Sequence, residues 1–449
     1  MKKIATLCLF SIAWLVACRK DDAPSIRPID LTVELSFDAD NKDYGFPVEN
    51  IEVALTNTNG GAPIYANTDA SGAALFPQVN AGLYNISAVF KVSPAAYLAK
   101  TGVSVKDSVV FNAVGNNVNI YAATNISKVQ LSLVPGKVGD WVIKQVYYAG
   151  SDLKDGASFR DQFIEVYNNS NDTLYADSLY ISRLWGLQTP SSGYKYYLVN
   201  DANGQFDWTK SLNMPTGIDA NKDYVYMRDL FMIPGNGTTY PVAPGKGLLI
   251  ASTGINHKQP FTDDNGKDYS VNKPELTVDL SQADFEAYLG DAVIANGGNK
   301  AAYDLDNPGV TNLRVVKYDA TEWILDNLGR DSYVIFKMPG GEDAGKLPAY
   351  NDPSITPPTA TSKVRIQLPV AYIIDGVEVM PNDVSDLIPK KLQASLDAGY
   401  TYAPAGKYSS QSVIRKTAKT VNGRTILQDT NNSTVDFDYF EVATPLGFK

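Results

Sequence analysis

The chain has 449 residues, with 39 basic and 49 acidic side chains, a formal net charge of −10, two cysteines and one histidine. One histidine cannot build a poly-histidine metal centre, and two cysteines, at positions 8 and 18, have neither the number for a thiolate zinc site or a disulfide framework nor the spacing for Cys-X-X-Cys redox chemistry. The acidic balance speaks against nucleic acid as a partner, since no basic stripe offsets phosphate repulsion.

The first residues, MKKIATLCLFSIAWLVAC, have the layout of a secretory signal: Lys2 and Lys3 precede an apolar stretch over residues 4–16. That stretch is shorter than the roughly 20 residues a transmembrane helix needs. Leu15-Val16-Ala17-Cys18 resembles the bacterial lipobox, in which cleavage falls before the cysteine and its sulfur takes a diacylglycerol. A thiolate is the strongest nucleophile the chain can offer near neutral pH. Each buried methylene contributes about 0.8 kcal/mol, so several acyl chains hold a protein where one is marginal. The resemblance implies a signal peptide over residues 1–17 and a lipidated tether over 18–28. Removing Lys2, Lys3 and Cys8 takes the basic residues to 37 against 49 acidic ones. With Cys18 acylated, no thiol remains. Lys20-Asp21-Asp22 looks like the surface-export tag of Bacteroidota lipoproteins, which implies an outer-membrane, cell-surface location.

Residues 29–36 (IDLTVELS) and 49–56 (ENIEVALT) alternate apolar and polar side chains, as half-buried strands do. Within residues 68–90, Asp69-Ala70-Ser71-Gly72 and Ala81-Gly82 read as turns and 73–76 as a short strand. Residues 83–90 read as a strand with Tyr84, Ile86 and Ala88 on one side. Thr68-Asp69 with Gly72, Phe76, Val79, Gly82 and Tyr84 resembles the small Ig-like or transthyretin-like domains of carboxypeptidase regulatory and collagen-adhesin B-type repeats. The resemblance implies a sandwich over residues 29–135, a spacer that in some relatives binds carbohydrate or a partner. Asp38, Asp40 and Asp43 offer oxygen ligands to a hard cation such as Ca²⁺, although Lys42 breaks the EF-hand spacing; the alternative is a solvated turn.

Residues 141–149 (WVIKQVYYA) read as a strand, and Asp161, Phe163, Ile164, Glu165, Val166, Tyr167 and Asn168 as another that ends in an asparagine turn. With Leu174 and Leu179-Tyr180-Ile181 beyond, this resembles the lamin-tail domain. Residues 242–250 (VAPGKGLLI), 331–336 (DSYVIF), 412–416 (SVIRK) and 429–437 (DTNNSTVDF) match its later blocks in order. The stretches 186–241, 255–330 and 339–400 then read as insertions, and long loops on a rigid sandwich are where binding surfaces usually sit. Ser281, with Asp284 three residues on and Ala283, Ala287 and Tyr288 on one face, predicts a helix. The expected fold is all-β: an Ig-like or transthyretin-like sandwich, then a lamin-tail-like β-sandwich over 138–449 with long insertions and a few short helices. The order of blocks resembles an uncharacterised lipoprotein family of Bacteroidota, which implies location and architecture more than chemistry.

Candidate sites are few. His257 would need a nucleophile and an orienting carboxylate, and the chain has no GxSxG elbow to supply the nucleophile. Asp263, Asp264 and Asp268 in DDNGKD, like Asp201 and Asp207 in DANGQFD, surround Asn-Gly turns that could hold Ca²⁺ or simply be surface hairpins. Asp161 and Glu165, four apart on a strand, would stand roughly 13 Å apart, too far for paired-carboxylate glycoside hydrolysis. Trp185, Tyr196 and Trp208 could form a stacking platform for a sugar or other planar ligand, or pack into the core. Asp-Ser/Thr-apolar triplets at Asp107, Asp172 and Asp177 resemble the O-glycosylation sequon of Bacteroidota.

These features lead us to expect a non-enzymatic surface lipoprotein, held to the membrane by its lipid. It would bind a ligand, a glycan or a protein partner beside a TonB-dependent transporter. A structural or adhesive surface protein is the first alternative and a carboxylate-metal hydrolase the second. No cofactor is firmly implied beyond the Ca²⁺ already named.

Overall fold

The computed structural model describes residues 28–39, 41–102, 108–120, 127–136, 140–189, 204–353, 362–421 and 423–449. They form an all-β protein with three short α-helices among them, Pro94–Thr101, Gly290–Ala295 and Ser433–Asp436. Cys18, the Lys20-Asp21-Asp22 stretch, Asp40, Asp107, Tyr196 and Asp201 lie outside the described residues.

The first β region comprises β1 (Ile29–Phe37), β2 (Glu52–Asn57), β3 (Ile64–Asn67), β4 (Ala73–Val79), β5 (Gly82–Val92), β6 (Val109–Ile120) and β7 (Lys128–Gly136). Their hydrogen-bonded order is β3-β2-β5-β6-β7-β1-β4. β1 and β2 stand four places apart in that order, yet Leu31, Val33 and Leu35 share one buried cluster with Val53, Leu55, Ile86 and Phe111. The sheet therefore folds over on itself, and β7 is the fold line. Its first part pairs in parallel with β1, from Thr32 opposite Lys128 to Phe37 opposite Leu133, and its end pairs with β6. Each core side chain contributes about 1.5–3 kcal/mol through burial.

The alternation read in β1 and β5 is what the structure contains: Leu31, Val33, Leu35, Tyr84, Ile86 and Ala88 are all buried. The turn between β3 and β4 works as its residues suggest. Asp69 Oδ1 accepts the Ser71 and Ala73 amides at 2.8 and 3.0 Å, and the Thr68 hydroxyl donates to the Val48 carbonyl at 2.6 Å. Gly72 is left-handed, and a Cβ there would stand 2.5 Å from the Leu35 carbonyl oxygen, so only glycine fits.

The second β region is layered. A seven-stranded sheet runs in the order Thr311–Asn312, Phe285–Glu286, Gly247–Ala251, Phe163–Asn168, Trp141–Tyr147, Ser412–Arg415, Phe437–Phe440. It packs on a five-stranded sheet ordered Arg314–Lys317, Leu230–Met232, Tyr180–Arg183, Ser332–Phe336, Ile373–Glu378. Ile143, Ile164, Val166 and Val413 of the first meet Ile181, Phe231, Tyr333 and Ile335 of the second.

Both outer faces are covered as well. Val278, Leu280, Ala283 and Val310 close over Tyr147, Phe163 and Leu249. A three-stranded sheet (Tyr224–Met227, Val364–Pro369, Ala349–Asn351) closes over Val334 and Phe336. Much of the sequence that reads as loop insertion thus forms cover layers. Every residue of Trp141–Tyr147, Phe163–Asn168 and Ser332–Phe336 is buried as a result.

Strands buried on both faces must pair the charged and most polar side chains they carry inside the protein. Lys144 meets Glu165 at 2.7 Å, and Gln145 donates to the Ser412 hydroxyl at 3.1 Å. Arg415 reaches Asp375 at 2.8 Å, Asp429 at 3.0 Å and Asp436 at 3.4 Å. Burial still pushes Asp375 up to about 7 and Asp436 up to about 6, while the Arg415 guanidinium stays charged.

The helix expected from Ser281 is absent. Asp279 Oδ1 accepts both the amide and the hydroxyl of Ser281, at 2.9 and 2.7 Å, so no helix is capped there. Ala283, Phe285, Ala287 and Leu289 are buried at a period of two, and Phe285–Glu286 pairs in parallel with Ile250 and Ala251. The helix begins later, at Gly290–Ala295.

Candidate binding cleft between the two β regions

The acids read as cation ligands are engaged in local structure. Asp38 accepts the Asn41 side-chain amide at 2.6 Å, and Asp43 lies exposed in a 3₁₀ turn, Lys42–Tyr44. Asp263 accepts the amides of Asn265 and Lys267 at 3.0 and 2.9 Å and the Tyr269 hydroxyl at 3.2 Å. These bonds, that of the Lys267 amide foremost, hold its carboxyl below the usual range. Asp264 pairs with Lys300, and Asp268 accepts the Thr262 hydroxyl at 2.6 Å. Among the described residues no group of three or more His, Cys, Asp or Glu side chains converges as metal ligands.

His257 is fully buried, with Nε2 3.0 Å from the Thr253 carbonyl, and burial lowers it to about 4, so its ring is neutral at pH 7. Asp161 precedes its strand rather than lying on it. It accepts the Tyr147 hydroxyl at 3.0 Å, and burial pushes it up to about 7. Asp177, of the third triplet, accepts the amides of Gly237, Thr239 and Tyr240 at 2.8–3.0 Å. Burial opposes its ionisation, but these donors and the Thr239 hydroxyl bring it down to about 2.

Trp185 and Trp208 line one small cavity of about 190 Å³ together with Phe206 and Tyr224. Their faces are covered. The Arg365 guanidinium lies 3.6 Å over the Trp185 ring, whose Nε1 donates to Asp352 at 2.7 Å. Trp208 is stacked on Tyr226 with centroids 3.5 Å apart and planes 7° apart.

A larger cavity, about 710 Å³, lies where the two β regions meet. This falls within the roughly 300–1,000 Å³ of small-molecule sites, which favour domain boundaries. One wall is the outward face of β6 and β7. On β6, Phe111 and Ala113 point into the core, so Asn112, Val114 and Asn116 point out; Ser132 and Val134 do the same on β7. Residues from Met380 to Tyr400 build the opposite wall, with Leu387, Ile388, Lys390 and Leu392.

Two bonds tie the walls together. The Asn112 side-chain amide donates to the Thr430 carbonyl, and that of Asn85 to the Tyr400 hydroxyl at 3.4 Å.

β6 is distorted at this wall. Tyr84 pairs with Val118 and Ile86 with Gly115, so Asn116 and Asn117 together oppose Asn85, a β-bulge. Asn117 takes a left-handed conformation, φ 52°, which asparagine tolerates better than most residues, and its amide donates to Asn85 Oδ1 at 3.0 Å. The side-chain carbonyl oxygens of Asn112, Asn116 and Asn117 are buried with no protein donor, and Asn112 as a whole is 2 % exposed. An unmet buried acceptor costs about 1–3 kcal/mol. Sequence reading singled out none of the three. The available signal was the outward register of Asn112, Val114 and Asn116.

No curated protein matches the chain. A crystal structure of a DUF4876 family protein from Bacteroides thetaiotaomicron is 23% identical over 92% of this chain and 95% of that one, with a TM-score of 0.50. That likeness is one of fold. Fervidolysin from Fervidobacterium pennivorans, a keratinolytic enzyme related to subtilisin, is 11% identical over 46% of this chain and 25% of that one. Its TM-score of 0.18 carries no weight. In sequence, residues 243–444, most of the second β region, match the model of DUF4876, a family of proteins of unknown function.

Proposed function

We propose that the chain is a lipid-anchored protein displayed on the cell surface of the outer membrane, a binder rather than a catalyst, serving a TonB-dependent transporter. The observation that carries the binding role is the cleft of about 710 Å³ where the β regions meet, walled by β6 and β7 on one side and by residues from Met380 to Tyr400 on the other. The lipobox-like run ending at Cys18 and the Lys20-Asp21-Asp22 tag support the location. In this reading the first region is an Ig-like or transthyretin-like spacer and the second a lamin-tail-like body. The buried, neutral His257 supports a binder over a hydrolase.

The test is purification from native membranes followed by mass spectrometry of co-purifying proteins and small ligands, beside a Cys18→Ser variant and protease treatment of whole cells. The expected results are a barrel-type transporter in the eluate, release of the variant from the membrane, and digestion on intact cells. A variant that stays membrane-bound, or a chain that protease on intact cells leaves whole, defeats the location. Loss of surface attachment on deletion, with growth unchanged on every nutrient, supports an adhesive protein instead.

A further inference from the structure

We propose that the cleft takes an extended, uncharged segment of a protein partner, which adds as a strand to the open edge of β7. This rests on the reading of the cleft as the ligand seat and adds the class of its occupant and the way it is held.

The sheet of the first region is unzipped at this place. β6 and β7 pair only from Val110 opposite Gly136 to Asn112 opposite Val134. β6 runs on to Ile120 and β7 begins back at Lys128, with no ladder between them over those spans. The cleft lies along the opening. Its wall takes consecutive residues, Val114 to Val118 on β6 and Gln130 to Ser132 on β7. A sheet face would present only every second residue, so strand edges line the cleft as well.

Of the two edges, β7 is the template. The bulge at Asn116 and Asn117 breaks the regular spacing of β6, a device that blunts edges. β7 keeps an unshifted register against β1 from Lys128 to Leu133. The Thr32 amide donates to the Ser127 carbonyl, and the Asp38 amide to that of Leu133. Main-chain groups alternate in direction along a strand, so the odd-numbered residues of 127–133 turn theirs to β1. Lys128, Gln130 and Ser132 turn theirs the other way, and no described strand pairs with them there. All three residues are exposed. Donors and acceptors that repeat at strand spacing on an accessible edge are what an added peptide strand pairs with.

The lining then sets the side chains of the guest. Val114, Val134, Leu387 and Ile388 are apolar, and apart from the Tyr400 phenol Lys390 is the one ionisable side chain. Its ammonium already donates to the carbonyls of Asp397 and Gly399. A charged guest side chain would lose water there and gain no partner, so the segment is uncharged. A sugar has no donor–acceptor repeat at strand spacing.

The experiment titrates the full chain by calorimetry with a pool of capped hexapeptides that alternate threonine or serine with valine or leucine. The same pool with glutamate or lysine at the polar positions is the charged control, and maltotriose the non-peptide probe. Uncharged hexapeptides should bind, and both controls more weakly or not at all. Ser132→Pro removes a donor from the free edge and leaves the β1 ladder intact, since edge strands tolerate proline. It should weaken peptide binding about ten-fold with melting little changed. Hydrogen exchange gives a second reading. The amides of Gln130 and Ser132 should exchange readily in the free chain and slow when peptide binds, while those of Val129 and Leu131 stay slow throughout. Gln130 and Ser132 amides already slow in the free chain, binding unaltered by Ser132→Pro, a preference for charged peptides, or no binding by any hexapeptide overturns the proposal. Maltotriose bound in place of peptide would sink strand addition but keep the cleft as a seat. If Ser132→Trp, which fills the cleft from an exposed wall position, leaves the binding of every probe intact, the seat lies elsewhere, and the broader functional reading falls with it.

Discussion

The two β regions solve the same problem in different ways. In the first, a folded sheet buries one face of each strand, so β1 alternates between buried residues such as Val33 and partly exposed ones such as Thr32. In the second, cover layers on both sides bury whole strands, so Lys144, Glu165, Gln145 and Arg415 sit inside and must find partners there. The first region puts its ionic contacts where water can serve either partner, as with Lys128 and Glu34. The second has exposed pairs too, such as Lys273 and Asp155, but also builds ion pairs into its core, where an ion left alone is costly.

Breaking a fully buried network should show this most plainly. Arg415→Met leaves Asp375, Asp429 and Asp436 without their cation, and the second region should lose about 3–5 kcal/mol by denaturant unfolding. A change of less than half that size would mean the network contributes little.

Lys144→Met should cost about 3 kcal/mol by stranding Glu165, whereas Lys144→Met with Glu165→Leu should recover most of it, since an apolar pair needs no desolvated charge. A double variant as unstable as the single one would show that the ion pair itself is required.

Proton uptake sharpens the contrast. Burial pushes Asp161, Glu286 and Asp304 up to about 7, above the ordinary carboxylate range near 4. The folded second region therefore holds protons that the unfolded chain releases, and its stability should fall as pH rises from about 4 through 7. In the first region, hydrogen bonds hold Glu34 and Asp69 below the usual range, Lys128 foremost for Glu34 and Ser71 for Asp69. Their contribution is lost only as pH falls below about 4. Hydrogen exchange at pH 4.5 and 7.5, corrected for intrinsic rates, should show protection dropping in residues 140–449 and holding in 28–136. Equal drops in both would contradict the assignment.

The smallest effect belongs to Lys128→Ala, which removes an exposed ion pair and should leave the melting temperature unchanged.

The same contrast explains what could be read from sequence. The all-β class and strands such as β1 and β5 were legible, because a half-wet strand writes its register as alternation. In the second region the strands around Ile164, Leu248 and Ile335 could be found as apolar runs, but nothing in them says what covers each face. The stretch after Ser281 shows how the wrong period wins. Ala283 and Ala287 satisfy a helical spacing, yet Phe285 and Leu289 complete a two-residue repeat that sheet pairing made decisive. The cleft was illegible for a simpler reason. Asn112 meets the carbonyl of Thr430, 318 positions away, and no local pattern announces that the outward face of β6 has a second wall.

The shared strand at the fold line has a mechanical meaning. β1 enters the first region at Ile29 and β7 leaves it at Gly136, and the two lie side by side in parallel. Tension between the leading segment and the second region therefore pulls these neighbours lengthwise in opposite directions. All six residue pairs from Thr32–Lys128 to Phe37–Leu133 share that load at once instead of unzipping one by one. A chain strung this way yields by shear, the stiffest way to stretch a sheet.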